Sequence, residues 1–353
     1  MKTLCLGMVV KNERLNIKQT LETVKPIIDY WVIVDTGSID NTKEIIKETL
    51  KDVPGELIER PWVNFGYNRS EVAMLTKNKA DYSLMLDADF LIELNGFDKD
   101  KLVDDQYDLQ IKWVGTGFYN PLLFNNRLSW KSVGVVHEYW YAEGVQTRSK
   151  LPSLSLNHDR HGPARDKGLC DIKLLEQGII DEPNNARYHF YLANTLRDVG
   201  KYKEAIEIFS KRISMGGWIE EVFYSKYQIG YCFELLNEIN KAKIAYLKAW
   251  EYRPSRAEPL YKLALICRKN EEYRQAYLFA EAGLKIQYPN DIIFVDKPTY
   301  AYGLLFELSI AAYWIGHYKE SIQLCKRLDR VNNLPEDVKI QNLKNMKFSE
   351  DKL

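Results

Sequence analysis

The chain has 353 residues, and Lys plus Arg equals Asp plus Glu at 49 each, so no net field draws it to nucleic acid or to an anionic membrane. Hydrophobic residues at 46% and charged residues at 28% give the balance of a globular protein and argue against long disorder. At roughly 150 residues per domain, two domains are expected. Cys5, Cys170, Cys232, Cys267 and Cys325 show no paired spacing, which indicates neither a zinc knuckle nor a disulfide framework. They read as core thiols in a reducing compartment, with the cytoplasm the expected location. No stretch approaches the roughly 20 apolar residues of a membrane span. The opening MKTLCLGMVV runs straight into the charged KNER without a small-residue cleavage site, so it reads as a buried strand.

Leu4 to Val10 is that first apolar run, Ile17 to Val24 has helical spacing, and Trp31 to Val34 is a second run ending in Asp35. Thr42 to Leu50 and Tyr67 to Ala80 are helical, and Tyr82 to Leu86 is a third run, ending in Asp87. Alternating strands and helices predict an α/β domain with parallel strands and helices on both faces. Ligands of such sheets sit at the carboxyl ends of the strands. Asn12 with Glu13, Asp35 with its TGS, and Asp87 with Asp89 should therefore converge on one edge.

From about Asp166 the pattern changes to long amphipathic helices rich in Tyr, Leu, Ala and Lys, which sets the expected domains at 1–165 and 166–353. Small residues Ala193, Gly230, Ala264 and Ser309 are each followed twelve positions on by Ala205, Ala242, Ala276 and Ser321. The turns between them read GKYKEA, NEINKA, EEYRQA and GHYKES. Small residues at two fixed places are what pairs of tightly packed antiparallel helices require, and stacked pairs give an all-α superhelix. The pattern resembles the tetratricopeptide repeat, with Phe209, Tyr246 and a closing Pro254 in register, in about four degenerate units with an insertion near Asp291 to Thr299. Of the tyrosines Tyr188, Tyr191, Tyr224, Tyr227 and Tyr261, some should face outward as a partner surface.

Chemistry is concentrated in the first half. LMLDADF, Leu84 to Phe90, ends a strand in two carboxylates one residue apart, which places both on one side of the pleat. Two hard oxygen donors there suit Mg²⁺ or Mn²⁺ bridging a diphosphate. In VIVDTGSIDNT, Val32 to Thr42, the strand-end Asp35 points into the ligand crevice, while Asp40, Asn41 and Thr42 read as the cap of the next helix.

KNE (Lys11 to Glu13), VDTGSID (Val34 to Asp40) and LDADF (Leu86 to Phe90) resemble, in order and spacing, the family 2 glycosyltransferases of GT-A (Rossmann-like) fold. The likeness extends to PWVNFGYNRSEVA (Pro61 to Ala73), VHEYW (Val136 to Trp140) and LNHDRHG (Leu156 to Gly162), and that family often carries appended tetratricopeptide repeats. The resemblance implies that Val10, Asn12, Glu13 and Asp35 hold the nucleoside, that Asp87 sits near the ribose, and that Asp89 is a metal ligand. It implies Arg69 as the cation paired with Asp87 or the diphosphate, and His158 as second metal ligand with His161 as its rival.

The function expected is therefore an inverting, metal-dependent transfer of a sugar from a nucleotide sugar, a UDP sugar foremost, to a hydroxyl of a glycan or protein. Such a transfer needs a base for the acceptor proton. Glu138 is the candidate, with His137 orienting it; Asp108, Glu93, or a purely structural Glu138 are the alternatives. Trp130, Tyr139, Trp140 and Tyr141 either stack on a sugar or, as such stripes usually do, fill core. A nucleotidyltransferase would want a Gly-rich phosphate loop where KNER stands, and an inert repeat scaffold would have no use for the four acids Asp35, Asp87, Asp89 and Glu138.

Overall fold

The computed structural model describes residues 1–113, 116–159, 161 and 167–353, the side chains of 113, 116 and 117 excepted. Arg160, Gly162 and Asp166, which belong to the LNHDRHG segment and to the expected boundary, lie outside the described residues. The chain divides into two compact units, Met1–Cys170 and Asp171–Leu353.

In the first unit β1 (Leu4–Val10), α1 (Ile17–Val24), β2 (Tyr30–Asp35), α2 (Thr42–Thr49), β3 (Gly55–Glu59), α3 (Phe65–Thr76) and β4 (Tyr82–Leu86) alternate. Then come β5 (Phe90–Leu94), β6 (Gln106–Trp113), β7 (Thr116–Asn125), β8 (Lys131–Val133), β9 (Tyr139–Tyr141) and β10 (Arg148–His158). Eight of these strands form one sheet in the order β3-β2-β1-β4-β7-β6-β10-β5, and β8 and β9 form a separate antiparallel ribbon. The strands β3, β2, β1 and β4 are mutually parallel, as the alternation predicts. Beyond β4 the sheet is mixed: β7 runs antiparallel to β4 and β6, β10 is parallel to β6, and β5 is antiparallel to β10. The expectation of parallel strands is thus corrected for this half, where β6 and β7 are hairpin neighbours and need no crossover helix.

Periodicity explains the layers. Leu4, Leu6, Met8 and Val10 alternate along β1 and share one core with Ile17, Leu21 and Val24 of α1, spaced to form one helical stripe, and with Ile46 of α2. Val34 of β2 and Met85 of β4 share a second core with Val72 and Ala73 of α3. The sheet is therefore covered on both faces, and each fully buried Leu of β1 contributes about 2 kcal/mol of apolar transfer.

The second unit begins within α4 (Lys167–Asp181) and continues through α5 (Ala186–Asp198), α6 (Tyr202–Ser214), α7 (Ile219–Leu235), α8 (Ile239–Tyr252), α9 (Glu258–Lys269), α10 (Tyr273–Leu284), α11 (Leu304–Trp314), α12 (Tyr318–Leu328) and α13 (Glu336–Glu350). Consecutive helices from α5 onward pack against each other, and α5 touches α7, α9 touches α11 and α11 touches α13. All eight small residues of the repeat pattern are buried. Gly230 shows why: a Cβ there would lie 2.7 Å from the Tyr246 ring.

The four hairpin turns are built alike. Gly200, Asn237, Glu271 and Gly316 each have positive φ, at 83°, 59°, 60° and 86°. The N–H of the following residue reaches back five positions, as in Lys201 to Leu196 O at 2.8 Å and His317 to Ala312 O at 2.9 Å. This is the Schellman closure, which needs a left-handed residue and so prefers Gly or Asn. Of the tyrosines singled out, Tyr188 is core, whereas Tyr191, Tyr224, Tyr227 and Tyr261 are half-buried. Among the described residues no helix is long and apolar enough to cross a membrane.

Candidate active site

Because β1, β2 and β4 are parallel, their carboxyl ends open on one edge, with Val10 level with Asp35 in the register. Two loops leave that edge, and they are stitched together. Asn12 adopts φ 55°; its N–H donates to Ser38 Oγ at 2.9 Å and its Oδ1 accepts from Ile39 N–H at 2.9 Å. Glu13 N–H donates to Thr42 Oγ1 at 2.8 Å, and its carboxylate accepts from Asn16 Nδ2 at 2.9 Å. The carbonyl of Val10 accepts from Thr36 N–H. Val10, Asn12 and Glu13 therefore hold the β1–α1 and β2–α2 loops in register. Capping of α2 falls to Asp40, whose Oδ1 accepts from Thr42 N–H and hydroxyl.

Asp35 is fully buried at the end of β2. Its Oδ1 accepts from Gly37 N–H at 2.9 Å and Ser38 N–H at 2.8 Å, which fixes the carboxylate plane, while Oδ2 has no hydrogen-bond partner among the described residues. A buried acceptor without a donor costs about 1–3 kcal/mol, so a molecule that supplies an N–H or O–H there is bound with that much to gain.

The DAD acids separate in their tasks. Asp87 pairs with Arg69 Nη2 at 2.6 Å, and the other arm of the same guanidinium is hydrogen-bonded to Glu138 Oε1. Burial works against the Arg69 charge, but the two carboxylates outweigh it and raise its pKa further. Asp89 turns to β10, where its Oδ2 lies 3.4 Å from His158 Nε2; the His158 ring meets the edge of Phe90, its register partner on β5. His161 Nε2 lies instead 3.3 Å from Asp159 Oδ2, and the His161 backbone N–H donates to Asn16 Oδ1. Among the described residues no group of three or more His, Cys, Asp or Glu side chains comes together as a metal cage.

The alternative bases are engaged elsewhere. Glu93 on β5 pairs with Lys112 and Asn157, its carboxyl held below the usual range chiefly by Lys112, and Asp108 on β6 pairs with Arg148. Trp130 and Trp140 pack on Phe124, at 4.7 and 4.8 Å between ring centres; Trp130 is core and Trp140 half-buried against it, while Tyr139 and Tyr141 on β9 are exposed.

Sequence reasoning did not anticipate the Arg69–Glu138 contact. Sixty-nine positions separate the two, and what joins them is packing of α3 on β8: Gly66 sits where a Cβ would lie 2.2 Å from Gly134 O, and Ser70 Oγ exchanges hydrogen bonds with the Ser132 backbone. The left-handed backbone of Gly134 and His137 then turns Glu138 toward the guanidinium.

Residues 5–99 match the family model described as Glycosyl transferase family 2. The chain is similar to the SPbeta prophage-derived glycosyltransferase SunS of Bacillus subtilis (strain 168), at 26% identity over 235 residues, 60% of this chain and 53% of that one; its counterpart from Bacillus phage SPbeta matches equally. The chain thus spans about half the length of the curated relatives it matches. Among solved structures it is similar to MamA (TM-score 0.37, 22% identity, 46% of this chain and 82% of that one). It is also similar to the C-terminal part of a TPR repeat-containing protein from Cytophaga hutchinsonii (TM-score 0.43, 11% identity, 52% and 67%). With the KNE, VDTGSID and LDADF segments at adjacent strand ends inside the matched region, the chain carries a family 2 glycosyltransferase domain, continued by tetratricopeptide-like helical hairpins.

Proposed function

We propose that the N-terminal unit transfers a hexosyl group from a nucleotide sugar, a UDP sugar, to a hydroxyl of a glycan or protein, with inversion at the anomeric carbon. The observation that carries this reading is Asp35: a fixed, fully buried carboxylate whose Oδ2 lacks a donor suits the imide N–H of a uracil ring or a ribose hydroxyl. Asp87 stands at the ribose side and Arg69 at the diphosphate.

The Asp89–His158 pair fits Mg²⁺ or Mn²⁺, since a carboxylate oxygen and an imidazole nitrogen converge while the remaining positions of such an ion are normally filled by phosphate oxygens and water. When bound, the ion would neutralise charge on the leaving diphosphate. In the transfer the acceptor oxygen bonds to the anomeric carbon, the bond from that carbon to the diphosphate oxygen breaks, and the acceptor proton passes to Glu138. The side chain of Glu138 is 10% exposed and held in place by Arg69, so it is oriented in advance. The helical hairpins are read as the platform for the acceptor or a protein partner. A cytoplasmic location fits the four buried free thiols.

Calorimetric titration with UDP, with and without Mn²⁺, tests the donor site. The wild-type chain should bind UDP more tightly with the metal; Asp35→Asn should lose binding in both conditions, and Asp89→Ala should lose only the metal-dependent part. Glu138→Gln should lower turnover on the order of a hundredfold with UDP affinity unchanged. UDP binding that ignores both Mn²⁺ and Asp35→Asn would overturn the assignment.

A further inference from the structure

Between α10 and α11 the chain leaves the repeat pattern for residues 285–298, and the later part of this segment lies as a strap against α7, the α8–α9 turn and the start of α9. Asp291 inserts between two guanidiniums: its Oδ2 accepts from Arg253 Nε at 2.8 Å and Arg256 Nη1 at 3.0 Å. The next two backbone N–H groups, of Ile292 and Ile293, both donate to Glu220 Oε2 at 2.9 Å. The carbonyls of Ile293 and Phe294 accept from Arg256 at 3.3 and 3.2 Å. Yet the side chains of Ile292 and Phe294 stay 80% and 60% exposed, although the Phe294 ring lies 4.6 Å from that of Tyr224.

A segment that belongs to a core is held by burying its apolar side chains. This one, with Ile293 and Val295 only half-buried, is held chiefly by its main chain and by one acid, which is how a protein holds an extended peptide ligand: backbone bonds give affinity and one pocket gives selectivity. Arg256 also has partners outside the strap. Arg256 is clamped by both carboxylate oxygens of Glu258, at 2.8 to 3.1 Å, and stacks 4.6 Å over Phe223; Glu258 is braced by the Tyr300 hydroxyl at 2.8 Å.

We propose that Glu220, Arg253 and Arg256 form a seat for an extended peptide carrying an acid followed by two aliphatic residues, and that Asp291 to Phe294 is its resident occupant, displaced by a partner's segment of the same chemistry. The inference rests on the hairpins being a partner platform and is independent of the donor site. Displacement exchanges like for like: the partner's acid replaces Asp291 between the guanidiniums, and its main chain takes over the bonds to Glu220 and Arg256.

The test uses the full chain with residues 290–295 replaced by a Gly/Ser linker of equal length, and a fluorescein-labelled peptide QYPNDIIFVDK, residues 287–297, read by anisotropy. The linker variant should bind the peptide roughly tenfold or more tightly than the wild-type chain, whose seat is filled. A peptide with Asn in place of Asp291 should fail, as should the linker variant that also carries Arg253→Gln. A linker variant that keeps wild-type helicity and UDP binding but ignores the peptide overturns the seat and leaves the transferase reading intact, and equal binding by wild type and variant overturns the occupancy. Should the linker variant not fold, hydrogen exchange on the wild-type chain decides. Ile292 and Ile293 amides exchanging at least about a hundredfold faster than those of α9 support a displaceable strap, and equal protection overturns it.

Discussion

Arg69 is the point on which α3, the end of β4 and the connection between β8 and β9 depend, and replacing it with Met measures that dependence. Met keeps the apolar stem and removes the charge, leaving Glu138, 10% exposed, without its cation. Stranding one member of a nearly buried pair costs about 3 kcal/mol. Asp87 is 46% exposed, so solvent screening limits the loss of its pair to under about 1 kcal/mol. The sum, about 3–4 kcal/mol, lowers the melting temperature of a unit of this size by roughly 6–16 °C at about 2–4 °C per kcal/mol. Differential scanning calorimetry reads it. Because the cost comes from an uncompensated acid, adding Glu138→Gln to Arg69→Met should return most of the lost stability, a coupling that a double-mutant cycle isolates. A single variant melting within about 2 °C of wild type, or a double variant no better than the single, would refute the bridge as a stabilising element.

Other perturbations follow from the same geometry. Gly66→Ala forces a Cβ against the Gly134 carbonyl, so it should cost about 1–3 kcal/mol and loosen the loop bearing Glu138, seen as lower thermal stability and faster amide exchange over residues 134–138. Burial raises the Asp105 pKa, but the Gln146 and Thr147 N–H groups and Arg127 outweigh it and hold the carboxyl below the usual range. A folded-state value below the unfolded one means stability that is full above the ordinary carboxylate range and lost as the pH falls below about 4. Asp105→Asn should accordingly destabilise the chain at pH 7 and flatten its acid-unfolding curve, measured by circular dichroism across pH. Glu271→Gly should raise the melting temperature, since Glu pays about 1 kcal/mol for its left-handed turn, whereas Gly316→Ala at the equivalent place should lower it by a similar amount.

How far the residues disclosed the molecule depended on whether the contact partners were local. Leu4 to Val10, Trp31 to Val34 and Tyr82 to Leu86 were legible because strands buried on both faces are continuous apolar runs, and their alternation with helices already puts the polar residues at their ends on one edge. The repeats were legible because small residues recur at the helix contacts, although Glu271 hides its turn where Gly200 and Gly316 announce theirs. Of the half beyond β4, Leu151 to Leu156 reads as strand-like and lies within β10, but β7 begins in polar and glycine residues and gives no such run. Pairing of Arg69 with Glu138 left no local trace either. Asp291 lies in the segment recognised as an insertion, but nothing in its neighbours names Arg253 and Arg256, more than thirty residues upstream, as its partners.

The position of β10 has a consequence for synthesis. Strand β5 joins the sheet only through β10, and β6 is bonded to β7 on one side and to β10 on the other. Until residues 148–158 have left the ribosome, β6 is an open edge carrying Leu109 and Ile111, side chains that are buried in the finished protein, and β5 has no strand partner. The hairpins that follow close on near neighbours and form as they emerge, whereas the sheet waits on pairings about forty to seventy residues apart. A nascent chain that pauses between β7 and β10 therefore presents a half-closed sheet to the cell, and the interval before β10 arrives is when this protein most needs a chaperone.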